Sequence, residues 1–363
     1  MTKCSRTPAL SLSRRGVLRA GLTSAAVVCA PAIWTPSMAA KQQLLIRDSG
    51  GPYTKAFEIA FYKPFTEATG IEIVNVTSTS EPTAQVKAMV EAKSYTWDVV
   101  GGLTRAATKQ LAAGGLLEEH GLEKDPVVSE IPSQFMLPHG VGTEVYTTVL
   151  GYRKDRFPAG KEPSSWADLW NFDAFPGRRA LRKLPIDTLE IAALASGVSP
   201  AKLYPIDTDR SFKQLDLIKP KTAAWWTAGA QATQMLVTGE ADMVPTWVTR
   251  VAAASDTGAP VGTVWNQHLW SVDYWAIPKG APKADLCRQF IIFASDPKRQ
   301  AAFAPYIIAG PTNPNAYRYI DPARAKLLPT YPENLALGIQ ADDDFWSVNK
   351  DQLTEKFNAW LLS

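Results

Sequence analysis

From residue 43 to residue 254 the chain alternates short apolar or β-branched runs with helical stretches, and this alternation limits the fold more than any other feature. Gln43-Leu44-Leu45-Ile46-Arg47 reads as a strand, ended by the turn Asp48-Ser49-Gly50-Gly51-Pro52. Residues 53–69 follow as a helix: Phe57, Phe61 and Phe65 recur on one face, Gly70 caps the end, and Pro64 predicts a kink or an early stop. Residues 71–76 are a second strand, 83–93 a helix, and 97–100 a third, buried strand; Gly101-Gly102-Leu103-Thr104 then opens a helix through Leu111. Strands alternating with helices imply a mostly parallel sheet with helices on both faces. In such sheets ligands gather beyond the carboxyl ends of the strands, where the loops 49–52 and 101–104 lie. Gly101-Gly102 has neither the G-x-G-x-x-G spacing nor a Gly-Lys-Ser/Thr ending, so a nucleotide loop is rejected.

The pattern continues. The β-branched run 145–152 predicts a strand crossing between two lobes, and Tyr274-Trp275-Ala276-Ile277-Pro278 a return crossing. Further strands are expected at 179–182, 241–247 and 261–264. Helices are expected at 188–195, 209–218, 249–254, 284–294 and 296–303, with one ending at Gly239 and a last one holding Phe357 and Trp360. Ser165 suits an N-cap for a short helix at 165–170. A chain of 363 residues exceeds one core of usual size. No long linker divides it. The expectation is therefore an α/β protein of two discontinuous lobes, each a mostly parallel sheet flanked by helices and joined by crossing hinge strands. Residues 41–149 with 272–320 form one lobe, and 150–271 with 321–363 the other.

Residues 1–40 read as an export signal. Ser13-Arg14-Arg15-Gly16 places a twin-arginine pair before an uncharged run, 20–33, and Ser37-Met38-Ala39-Ala40 supplies the small residues of a cleavage site. The segment carries Lys3, Arg6, Arg14, Arg15 and Arg19 and no acid. The remainder thus has 33 Lys+Arg (38 minus 5) against 35 Asp+Glu, and the overall +3 becomes −2. Nucleic-acid binding loses its electrostatic argument. Only Cys287 remains after the signal, so no internal disulfide is expected. No stretch of the remainder approaches the ~20 uninterrupted apolar residues of a membrane span.

Catalytic and metal chemistry find little footing. His120, His139 and His268 are scattered without zinc spacing, no calcium-loop pattern occurs, and no G-x-S-x-G elbow is present. Asp342-Asp343-Asp344 reads as a solvated turn. No cofactor, metal or catalytic residue is expected. Tryptophan stands out instead: six of the twelve lie between Trp225 and Trp275. Among them, Trp270-Ser271-Val272-Asp273-Tyr274-Trp275 sets one acid in an aromatic run, where a lone buried carboxylate is costly. Aromatic faces and a carboxylate both attract ammonium groups, so Trp247 with Asp273 suits an amine receptor. The alternative is a core cluster with Asp273 paired to an internal Arg. Asp187 and Glu190 read either as a second acidic pole or as an N-terminal helix cap.

Several strings, taken in order, resemble a known family. They are Ser165-Trp166-Ala167-Asp168-Leu169-Trp170, Gly229-Ala230-Gln231, Gly239-Glu240-Ala241-Asp242-Met243, Trp247, Asp273-Tyr274-Trp275-Ala276-Ile277-Pro278 and Gly310-Pro311-Thr312-Asn313-Pro314, with the twin-arginine signal before them. Together they resemble the periplasmic solute-binding proteins of ABC importers, in the spermidine/putrescine-binding branch. The resemblance implies a type II periplasmic binding fold and a non-catalytic, monomeric receptor. Such a receptor encloses a small amine between its lobes and delivers it to an inner-membrane permease. It implies Asp273 as the acid that takes the amino group and Trp247 as a cleft wall. Ser49, Gly50, Thr104, Asp187 and Thr227 fall at its other cleft positions, and Trp270 adjoins the key acid. Where relatives carry Asn-Gly-Arg after the cleft Trp, this chain has Val248-Thr249-Arg250. Ser271 replaces an aromatic residue, and Ser49-Gly50-Gly51 replaces first-loop aromatics. The alternative is the same architecture for an anion, an organic acid or iron; Arg105 and Arg250 leave an anion site open.

Overall fold

The computed structural model describes residues 42–78 and 80–363. The expected signal at 1–40 lies outside them. Eight strands carry the architecture: β1 (Gln43–Asp48), β2 (Glu72–Thr77), β3 (Val99–Thr104), β4 (Gly140–Arg153), β5 (Arg179–Arg182), β6 (Thr222–Trp226), β7 (Met243–Trp247) and β8 (Val261–Ala276). They run across one sheet in the order β2-β1-β3-β8-β4-β7-β5-β6. At one end β1 pairs parallel with β2 and β3; at the other β5 pairs parallel with β6 and β7. The long strands β4 and β8 lie antiparallel in the middle and belong to both ends. Two-residue strands at Met136–Leu137, Gly310–Pro311 and Ile339–Gln340 fasten onto this central pair. This is the expected α/β arrangement of parallel sheets joined by crossing strands.

The crossing strands are longer than the sequence suggests. Residues 261–264 and 274–278 read as separate strands, yet β8 is continuous over 16 residues. The polar stretch Trp265-Asn266-Gln267-His268 hid this, because it departs from strand alternation. Gln267 takes a left-handed φ of 59°, and its carbonyl accepts the Trp166 indole N–H at 2.9 Å. The β4–β8 register slips nearby, between Thr148 and Leu150. A bulge of this kind bends a strand without ending it.

In the 52–69 helical segment, Pro64 has no N–H to offer. The chain accommodates it with a π-helical turn, Glu58–Tyr62, between α-helical pieces at Pro52–Phe57 and Lys63–Thr69. Phe57, Phe61 and Phe65 remain on one buried face, and Phe57 meets Trp275 at 5.1 Å between ring centroids. That face belongs to a core that includes Val145, Val272 and Phe290. A second core gathers Leu150, Trp166, Leu189, Trp346 and Phe357, and a third Val149, Trp226, Val244 and Ile308. Cys287 is buried and free. Among the described residues no helix is long and apolar enough to cross a membrane.

Candidate functional site

Strand alternation sorts β4 into two faces. Val145, Thr147 and Val149 turn into the cores, while Glu144, Tyr146 and Thr148 share the opposite face. The register sets Glu144 beside Asp273 and Tyr146 beside Ser271 on β8. One strip of sheet thus presents Glu144, Asp273, Tyr146, Ser271 and Thr148 in order.

The acids at the head of this strip are unsatisfied. Glu144 is 2% exposed, and its Oε2, like Oδ1 of Asp273, is buried without a hydrogen-bond partner among the described residues. Like charges directly opposite on adjacent strands are unfavourable. Burial first, then the charge of Asp273, pushes the Glu144 carboxyl well above its ordinary range. Burial also pushes Asp273 up to about 7; Arg47 opposes the rise and Asp343 adds to it. Arg47 does not bind either acid. Its guanidinium donates to the carbonyls of Ser78 at 2.6 Å, Gly101 at 2.7 Å and Ser80 at 3.0 Å. An internal Arg therefore softens the repulsion without pairing with Asp273.

At the other end of the strip the charges are matched. Asp187 accepts from Arg182 at 3.0 Å and from the Thr148 hydroxyl at 2.9 Å. Its backbone sits at φ 66°, a left-handed conformation that Asp tolerates better than most residues and that often marks functional sites. Arg182 also lies over the Trp247 ring at 4.8 Å and the Trp226 ring at 5.5 Å. Glu190 does not join this pole: it is buried, accepts from Tyr204 at 2.8 Å and from the Trp346 indole, and burial lifts it to about 8.

Arg250 is different. It follows Trp247 on the Val248–Asp256 helix, 5.7 Å from that ring, and has no carboxylate partner among the described residues. Its Nε is buried without a hydrogen bond. Gly229 makes the fit possible, since a Cβ there would collide with Arg250 and lie 2.9 Å from the Trp247 ring. The charges of Glu144, Asp273 and Arg250 all act on the half-buried Tyr53.

The other expected site residues fall as follows. Thr104 is exposed, caps the Arg105–Ala113 helix and pairs in register with Asp273. Ser49 is exposed and faces Gly102; Gly50 is buried at φ 84° and donates to Asp48 at 2.9 Å. Thr227 is exposed before the Gly229–Thr238 helix, its N–H bonded to Gln231 at 2.8 Å. Trp247 is half-buried at the start of its helix. Trp270 is not brought to these residues: it is 6% exposed on the opposite face of β8 from Asp273, packed edge-on against Phe135.

Sequence reasoning missed Glu144, Tyr146, Thr148, Arg182 and Tyr53. A polar residue at every second position of 144–148 was the available signal. Among the described residues no three His, Cys, Asp or Glu side chains are placed to hold a metal ion. A cavity of about 390 Å³ lies elsewhere, against the Val248–Asp256 helix. Its lining mixes apolar residues with Lys154, Asp256 and Arg324, and Arg324 is already bound to the Ala304 and Pro305 carbonyls, so the unpartnered groups are the stronger candidate.

A profile of the bacterial extracellular solute-binding protein family matches residues 60–330. A γ-aminobutyric acid-binding protein of Pseudomonas aeruginosa is 36% identical over 89% of this chain and 92% of its own. A spermidine/putrescine-binding periplasmic protein of Haemophilus influenzae is more distant, 25% identical over 62% of this chain and 64% of its own. Among solved structures, an ABC transporter substrate-binding protein of Bradyrhizobium japonicum is 36% identical, with TM-score 0.81 over 88% of this chain and 99% of that one. The Atu4243 GABA receptor is 33% identical, with TM-score 0.79 over 88% and 98%. AgtB of Agrobacterium tumefaciens, in complex with agropinic acid, is 34% identical, with TM-score 0.71 over 89% and 99%. The chain belongs to the bacterial extracellular solute-binding protein family, as a substrate-binding component of an ABC transporter and not an enzyme.

Proposed function

We propose that the solute is a small zwitterion of the γ-aminobutyrate type, with its ammonium at Glu144 and Asp273 and its carboxylate at Arg250. The observation that carries this reading is that Glu144 and Asp273 and, with the opposite charge, Arg250 each bury an atom without a hydrogen-bond partner among the described residues. An ammonium supplies N–H donors to two carboxylates, and a guanidinium takes a carboxylate in a two-pronged bond. A polyamine would satisfy the acids but set a second cation against Arg250. It stays the second reading because Asp343 adds a third carboxylate near Asp273. In either case Trp247 walls the cleft, Thr104, Ser49, Gly50 and Thr227 line its rim, and Asp187 holds Arg182. The lobes are proposed as 41–149 with 272–320 and 150–271 with 321–363, closing on the solute by a hinge motion in β4 and β8. Export is proposed through the twin-arginine signal, with the receptor working in the periplasm.

The test is a melting screen followed by calorimetry with γ-aminobutyrate, putrescine, spermidine and succinate. A ligand at 100-fold its Kd adds about 2.7 kcal/mol of stability. γ-Aminobutyrate is expected to raise Tm, with putrescine and succinate each ineffective because each leaves one pole unmet. A Tm rise with putrescine alone would replace this reading by the polyamine one.

A further inference from the structure

The acidic run 342–344 was expected to be a solvated turn, and the structure gives it another setting. Asp342 caps the C-terminal helix Asp343–Leu362, accepting from Phe345 N at 3.0 Å. Asp343 is half-buried and accepts the Ser271 hydroxyl at 3.5 Å; burial raises its carboxyl to about 6, and Arg105, Lys109 and the Ala106 N–H at the start of the Arg105–Ala113 helix oppose that rise. Asp344 receives Lys109 of that helix at 2.6 Å on both oxygens. A carboxylate is favoured at a helix N-terminus because the free N–H groups and the helix dipole both attract it.

The two helices so joined belong to different cores. The C-terminal helix buries Trp346, Leu353 and Phe357 with Leu189 and Phe212. The Arg105–Ala113 helix buries Ala107 and Leu111 with Trp97, Val100 and Leu103. Apart from the strands of the sheet, this contact ties one core to the other beside the acid pair. Asp343 is also coupled to the site, because Ser271 stands two residues before Asp273 on the same face of β8 and the charges of Asp343 and Asp273 oppose each other.

We infer that Asp343 and Asp344 are positioning residues for solute capture, fastening the C-terminal helix to the start of the Arg105–Ala113 helix across the cleft. The inference rests on the amine-binding reading of the acid pair. An ammonium there neutralises the charge that Asp343 faces, so occupancy strengthens the contact and the contact in turn strengthens binding.

The experiment uses the full mature chain and the variants Lys109→Met, Asp344→Asn, their double, and Asp343→Ala. Calorimetry with γ-aminobutyrate and small-angle scattering of the ligand-free protein are read side by side. Each single change at Lys109 or Asp344 is expected to raise Kd about threefold, the scale of a partly exposed ion pair. The double variant is expected to be no worse than either single, because one interaction is lost only once. Asp343→Ala is expected to raise Kd by about tenfold, since it removes the acceptor for Ser271 and the carboxylate at the start of the Arg105–Ala113 helix. All four are expected to enlarge the ligand-free radius of gyration. Unchanged Kd in Asp343→Ala, or a double variant whose Kd rise is the product of the singles, overturns the inference. If wild-type protein binds no amino acid or amine, the solute reading fails instead. The scattering then decides the fastening alone, and an unchanged radius of gyration in Asp343→Ala and the double variant overturns it.

Discussion

The two ends of the polar strip on β4 hold the same kinds of charge in opposite conditions. Around Thr148, Asp187 and Arg182 meet at 3.0 Å and the acid also takes a hydroxyl, so both charges are matched within the chain. Around Glu144 and Asp273, two carboxylates face each other with buried oxygens that no group of the described residues fills. An ion pair matched within the chain can serve as scaffold at little net energy, whereas an unpaired buried carboxylate costs several kcal/mol unless it is protonated or met by a cation. On the proposed reading, the difference separates what would hold the cleft in shape from what would take the solute. Arg250 falls with the second group by the same criterion, and Arg182 with the first.

The sharpest way to break this comparison is at Asp273. Asp273→Asn is expected to weaken γ-aminobutyrate binding by about 100-fold, the value of a charge-assisted bond of ~2.7 kcal/mol, with the fold retained by circular dichroism. Wild-type affinity in calorimetry would remove Asp273 from the site. Arg250→Met is expected to cost nearly as much for γ-aminobutyrate and to improve binding of putrescine, because it removes a cation facing the ligand. An unchanged affinity for γ-aminobutyrate, or no gain for putrescine, would contradict the assignment of Arg250 to a carboxylate.

Acidity gives the next largest effect. The Asp273 carboxyl is lifted from 3.8 to about 7 in the folded chain, mainly by burial. Between these values the folded protein keeps a proton that the unfolded chain has lost. This contribution to stability is therefore present at low pH and disappears as pH rises through about 7. Binding an ammonium requires the ionised acid, so affinity runs the other way and falls as pH drops below about 7, by up to about tenfold per unit for each titrating carboxyl. Calorimetry in buffers of differing ionisation enthalpy is expected to record proton release near neutrality in wild type and less in Asp273→Asn. Binding that is indifferent to pH between 5.5 and 7.5 would place the ammonium elsewhere.

How far the sequence reaches is visible in the same residues. The parallel ends of the sheet were legible because period-two and helical patterns differ along the chain, and Asp273 stood out because a charge in an aromatic run is unusual. Glu144 was hidden because the strand was read from Val145 onward, and its meaning comes only from the register that sets it beside Asp273. Arg250, like Arg105, only left an anion site open, because nothing local tells a paired arginine from an unpaired one; Arg182 became the paired one through a contact five residues away at a left-handed Asp187. The acidic run 342–344 looked solvated because its partners, Ala106 and Lys109, lie more than two hundred residues earlier.

Within the matched end, Asp187→Asn is expected to raise Kd by about tenfold or less: it frees Arg182, which remains held over Trp247 and Trp226. The smallest effect on binding belongs to Trp270. It adjoins the key acid in sequence, yet strand alternation carries it to the other face of β8, where it is buried against Phe135. Trp270→Leu removes a large aromatic from a close-packed core and is expected to cost about 2–4 kcal/mol of stability, read as a lower Tm. Its effect on Kd is expected to stay within twofold, because nothing on the Glu144–Asp273 face loses a contact. A loss of affinity larger than the loss of stability explains would mean that Trp270 reaches the solute, and that proximity to Asp273 along the chain says more about the site than the face of the strand does.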